Sequence, residues 1–200
     1  MSLAALMAVA LYVVNLWLLL SFHLLDRDRS IVSHAVSDYA LGKASRRFQL
    51  YGVVGGTAAL VMAWLFYQAT PAVFGAEVAP LLAIMTAARA GVTLFPTDVD
   101  GAPRTTSGIV HSLSALALFA CAFAVINQVS GVLAEQSHLP ALRPLWPLLR
   151  WIIIISVVAM LVTSFKAFRA MFGLAERVFI ITSAIWFLLA AIWFLVPKPA

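Results

Sequence analysis

The sequence predicts an all-α protein, a polytopic bundle of six transmembrane helices forming one domain over residues 1–200. Three observations carry this. Of 200 residues, 64% are hydrophobic and only 10% are charged, where soluble domains carry about a quarter charged residues. The mean hydropathy is +1.01. Apolar runs of roughly 20 residues, the length that crosses about 30 Å of hydrocarbon as a helix, recur from one end to the other with short polar breaks.

The first apolar run, 3–25, is too long for the hydrophobic region of a signal peptide and lacks a basic start and a cleavage site, so it reads as a span. Loop one follows as DRDRSIVSHAVSDYALGKASRR. Ser30 can cap a short helix there, which sets His34, Ser37 and Asp38 on one face at spacings of three and four. The flanking Arg and Lys residues suit a helix at headgroup level. Span two, 48–69, contains Gly52, Gly55 and Gly56, a small-residue spacing that lets another helix approach closely. Span three, 76–95, holds Arg89 about two helical turns from its end, where a charge is costly and must pair, face a cavity or snorkel. Pro96 and Gly101 then break the helix and place Asp98 and Asp100 just outside the apolar stretch. Thr105, Thr106 or Ser107 can cap span four, 107–129, which puts His111 about one turn inside. Residues 130–145, with Pro140 and Pro144, read as an irregular outer loop. Span five covers 146–165 and span six 177–196, the latter introduced by Glu176 and Arg177. Trp146, Trp151 and Trp193 fall where interfacial anchors are expected.

The basic residues set the orientation. Arg27, Arg29, Lys43, Arg46, Arg47, Arg104, Lys166, Arg169 and Arg177 lie after spans one, three and five, whereas the opposite side carries only Arg143, Arg150 and Lys198. Counting positive charge therefore places loops one, three and five in the cytosol and both termini outside it. The net charge of +5 is spread over loops and forms no surface stripe for nucleic acid, so the anionic lipid leaflet is its expected partner. Cys121 is the single cysteine and lies inside an apolar run, which leaves no intrachain disulfide, no paired redox motif and no thiolate metal cluster. With four histidines, of which His138 is expected across the membrane, no haem is expected.

Orientation counting makes no use of the chemistry-bearing side chains, yet it puts His34, Ser37, Asp38, Asp98, Asp100 and His111 at one face. Arg89, Glu176 and Arg177 are expected to join them as groups that hold a substrate. At this run the chain resembles the bacterial six-span membrane proteins of domain of unknown function 998 (DUF998). The resemblance rests on His34, Ser37 and Asp38, on Phe95, Pro96 and Asp98 followed by Gly101 and His111, and on Gly173, Glu176 and Arg177 before the last span. It covers nearly the whole chain and implies location in a bacterial inner (plasma) membrane. It implies no settled reaction.

Two functions fit the pattern. One is an enzyme acting on a lipid or isoprenoid amphiphile that enters from the cytosolic leaflet, since carboxylates partly removed from water can act as acids near neutral pH and an imidazole can take the proton. In a metal-assisted version, His34, Asp98 and His111 hold a divalent ion such as zinc that activates water. This looks similar to membrane ceramidase-type hydrolases, although their HxxxH pair is missing. In another version, a protonated Asp starts cyclisation of an isoprenoid among aromatic side chains. The alternative function is a non-catalytic membrane module, a subunit or lipid sensor, in which the cluster is a hydrogen-bonded plug. A channel or transporter stays open as a reading, although only the third span carries a deep charge and the usual polar translocation path is missing.

Overall fold

A computed structural model describes residues 2–197 apart from Arg27, Thr70 and Asp100. Among the described residues every regular element is helical. Six long helices dominate: α1 (Ser2–Leu25), α2 (Ser45–Gln68), α3 (Val78–Leu94), α4 (Thr106–Gln136), α5 (Leu145–Thr163) and α6 (Phe172–Leu195). Five of these are long and apolar enough to cross a membrane. The sixth, α3, has 17 residues and measures about 26 Å at 1.5 Å per residue. Outward-facing positions are apolar, as with Leu3 (79% exposed), Leu116 (66%) and Ile155 (65%). That pattern reverses the surface of a water-soluble bundle and identifies an integral membrane protein.

The helices form a ring. Each packs on the next in sequence, and α6 closes the circle against α1. Lipid tails are as apolar as leucine, so close packing rather than water exclusion must hold such a ring together. Small residues supply it between α2, α3 and α4, where a Cβ at Gly52 would collide with Thr93 and one at Gly91 with Ser114. The expected close approach at the glycines of span two is thus made by α3. Aromatic contacts, each contributing about 0.5–1.5 kcal/mol, tie α1 to α2 through Phe22 and Tyr51 at 5.7 Å between ring centroids. Others tie α1 to α6 through Tyr12 and Phe187 at 5.6 Å, and α5 to α6 through Trp146 and Trp186 at 5.7 Å.

Several expectations need correction. Trp146 and Trp193 are buried core residues, and only Trp151 of the three expected anchors faces outward. Helix α4 continues to Gln136, well past 129, because nothing from Ser130 to Gln136 breaks a helix and the first proline comes at 140. Loop one is not one helix. Ser30 caps only a turn, its Oγ accepting the amides of Val32 and Ser33 at 3.3 Å. Ala35 is extended (φ −65°, ψ 155°), and a 3₁₀ turn, Val36–Ala40, follows. His34 precedes that turn, so it does not share a helical face with Ser37 and Asp38.

Candidate functional site: a polar cleft where loops one, three and five meet

Two side chains of α6 hold loop one against the bundle. Arg177 is buried and donates through Nε to His23 Nε2 at 2.8 Å, and through Nη1 to the carbonyls of Ile31 (2.9 Å), His34 (2.5 Å) and Gly173 (2.9 Å). Glu176 is also buried, and its Oε2 accepts the Val36 amide at 2.6 Å. Gly173 lets the backbone at His34 approach, since a Cβ there would collide with the His34 carbonyl. Arg177, expected as a substrate ligand, therefore serves as the knot between loop one and the last helix. A guanidinium with several donors in a fixed fork suits this task.

Loop three is held by a second knot. Gly101 adopts φ +81°, a conformation that glycine reaches without Cβ strain. The Asp98 carboxylate accepts the Thr105 hydroxyl at 2.6 Å and the Thr105 amide at 3.1 Å, while Thr105 Oγ1 caps α4 by accepting the Gly108 amide at 3.1 Å. The Thr105 hydroxyl, followed by its amide, holds the Asp98 carboxyl below the ordinary aspartate range. Asp98 is thus committed as a helix-cap partner.

Together these knots frame a cleft of about 620 Å³, a size typical of small-molecule sites. His34, Ser37, Asp38, Asp98, His111 and Glu176 line its polar part, and Leu116, Phe119, Met160 and Phe172 line its apolar part. Asp100 lies outside the described residues. Four chemistry-bearing side chains from loop one, loop three and α4, namely His34, Asp38, Asp98 and His111, therefore face one space. They do not form the expected metal set: among the described residues no three His, Cys, Asp or Glu side chains come close enough to hold an ion. The reason is local. Asp98 spends its oxygens on Thr105, and His111 Nδ1 bonds to the Phe95 carbonyl at 2.7 Å.

That last bond gives His111 a defined chemistry. A carbonyl oxygen can only accept, so Nδ1 carries the proton and, in the neutral ring, Nε2 carries the lone pair. Nε2 is buried without a hydrogen-bond partner, on a side chain that lines the cleft. An imidazole oriented through one nitrogen and unpaired at the other is the arrangement of a general base. The sequence placed His111 correctly, but the bond to Phe95 joins residues 16 positions apart and has no sequence signal.

Arg89 sits deeper, over the ring of Tyr51 at 4.3 Å from its centroid. It lines two smaller voids and does not line the cleft. His23, Tyr12, Asn15 and Tyr51 also take part in these polar contacts and voids, and no sequence motif marks them. The one available signal was polar or hydroxyl-bearing residues within apolar runs. Arg169, counted only for orientation, also lines the cleft.

A family model described as protein of unknown function (DUF998) matches residues 3–193. No curated protein and no solved structure matches the chain.

Proposed function

The chain belongs to the DUF998 family of membrane proteins, and from that premise we propose that it is a membrane-embedded enzyme acting on the polar head of a lipid or isoprenoid amphiphile by acid–base chemistry. The cytosolic leaflet is the proposed side of entry, and a bacterial inner membrane the proposed location. The carrying observation is His111: its Nδ1–H is fixed on the Phe95 carbonyl, and its Nε2 is buried without a partner. In this reading Nε2 takes a proton from the reacting group. Glu176, in the wall of the same cleft, serves as the second proton-carrying group. The Ser37 hydroxyl, Asp38 and His34 bind the polar head, while Leu116, Phe119 and Met160 receive the first part of the chain. The shape supports this division, because polar and apolar walls meet in one cleft, as an amphiphile requires.

The test is turnover. Purified protein in nanodiscs is incubated with a bacterial polar lipid extract, and lipid species are followed by mass spectrometry over time. The wild type should consume at least one species, and His111→Asn should slow this by about a hundredfold or more, the usual scale of a lost general base. No change with the wild type, or equal rates in the variant, would sink the enzyme reading.

A second reading has its own observation. Asp98 and Arg177 are both committed to holding loops, as expected of a non-catalytic module whose polar cluster is a plug. It predicts that His111→Asn alters thermal stability and nothing else.

A further inference from the structure

The centre of the helix ring contains a second polar site, separate from the cleft. Arg89 lies about 8 Å from the end of α3, five residues at 1.5 Å each. A guanidinium carries a positive charge. No described carboxylate forms an ion pair with it; Asp26, for example, is taken by Arg47. The ring of Tyr51 covers one of its faces, and Nε is buried with no hydrogen-bond partner. A half-buried charge within a membrane span calls for a counter-charge.

Its surroundings are built for the guanidinium and remain unfinished. A Cβ at Gly55 would lie 2.6 Å from Arg89 Nη2 and 2.9 Å from Asn15 Nδ2, so only glycine leaves room for both. A void of about 70 Å³ opens beside Arg89, lined also by Tyr12, Asn15, Tyr51 and Ser183. These residues come from α1, α2, α3 and α6. Tyr12, Tyr51 and Ser183 are at least nine-tenths buried, yet Tyr12 Oη, Tyr51 Oη and Ser183 Oγ have no hydrogen-bond partner. Asn15 already uses Nδ2 on the Tyr51 carbonyl at 3.1 Å. The void is walled mainly by apolar side chains such as Met85, Leu118 and Phe179, and within that wall stand one positive charge and three unpaired hydroxyls, with no carboxylate among its lining residues. A second void of about 40 Å³ is lined by Arg89 and Tyr51 together with Ser37, His111 and Glu176, so it shares walls with both the inner void and the cleft.

We propose that the centre of the helix ring is a binding site for an oxyanion, a carboxylate or phosphate, with Arg89 as its counter-charge and the hydroxyls of Tyr12, Tyr51 and Ser183 as its donors. Charge-assisted hydrogen bonds from a guanidinium and hydroxyls suit such a group and would satisfy the unpaired atoms together. A neutral ligand would leave the charge unmatched. The oxyanion can be the head of an amphiphile or a free anion. The site does not depend on the chemistry proposed for the cleft, because anion binding is read without turnover.

The experiment follows thermal unfolding of the protein in phosphatidylcholine nanodiscs titrated with decanoate, decyl phosphate, acetate, inorganic phosphate or decanol. Anionic probes should raise the midpoint of the wild type in a saturable manner, and decanol should not. Arg89→Gln should abolish the response. Since loss of a charge inside the helix ring can also disturb folding, Tyr12→Phe serves as the second variant. It keeps the ring and removes one donor, and it should weaken apparent affinity by about tenfold or more. If only the ten-carbon probes act, the site takes an amphiphile head; if acetate or phosphate act equally, it takes a free anion; both outcomes support the proposal. It is overturned if no anionic probe shifts the wild type, if decanol shifts it as much as decanoate, or if Tyr12→Phe and a folded Arg89→Gln respond like the wild type.

Discussion

The two ends of the bundle use similar side chains to opposite effect. At the end away from the cleft, Arg150 Nε donates to Asn127 Oδ1 at 3.1 Å, Gln128 donates to Glu77 Oε1 at 2.8 Å and to the Phe74 carbonyl at 3.0 Å, and Arg143 donates to the Ser137 carbonyl at 3.1 Å. Polar groups there close connections between helices. At the other end Arg177, Glu176 and Asp98 do the same for loops one and three, but they enclose a space in which His111 keeps an unused nitrogen. Polar residues alone are therefore no mark of a site in a membrane protein. The informative sign is a buried polar atom left unsatisfied beside a cavity, because such an atom is costly unless something arrives to pair with it.

The comparison can be broken by stability measurements. Arg177→Met should have the largest effect, a loss of about 3 kcal/mol or more, since each charge-assisted hydrogen bond contributes roughly 1.5 kcal/mol or more and buried carbonyls lose their donor. Thermal or denaturant unfolding in nanodiscs reads it, and a loss below that of Arg150→Ala would show that the two ends are held alike. Next comes Gly173→Ala. Its Cβ meets the backbone at His34, which cannot rotate away, so about 1–3 kcal/mol is expected, the usual cost of overpacking. Labelling of a cysteine placed at His34 should speed up in the same variant as loop one lifts.

Arg150→Ala, at the opposite end, removes one neutral partner contact on a half-buried side chain. It should cost about 0.5–1.5 kcal/mol and leave cleft labelling unchanged. The smallest effect concerns pH. The Asp98 carboxyl is held below its ordinary range by Thr105, so its folded-state value lies below the unfolded one. Its contribution is thus complete above the ordinary aspartate value of about 3.9 and is lost as pH falls through the lowered value. The stability advantage of the wild type over Asp98→Asn should be constant near neutrality and shrink in acid. An advantage that grew on acidification would contradict the cap assignment.

Much of this was legible in the chain, and the reason is the solvent. Lipid requires every backbone group to be satisfied within its own segment, so apolar runs such as 3–25 and 48–69 translate directly into α1 and α2. Breaks such as Pro96 and Gly101 translate equally directly into the turn that returns the chain into α4. By such local rules the sequence by itself determined the helical class, the approximate helix positions and the gathering of His34, Asp38, Asp98 and His111 at one end. The tertiary structure alone decided what each of them does. Whether Asp98 is an acid or a cap partner depends on Thr105, seven residues away, and whether Arg177 meets a ligand or a loop depends on carbonyls about 140 residues distant. The unpaired nitrogen of His111 and the unmatched charge of Arg89 likewise depend on which donors and acceptors other helices bring near. Helix formation in lipid is a local accounting of backbone hydrogen bonds, whereas the pairing of side chains is settled only when the ring closes.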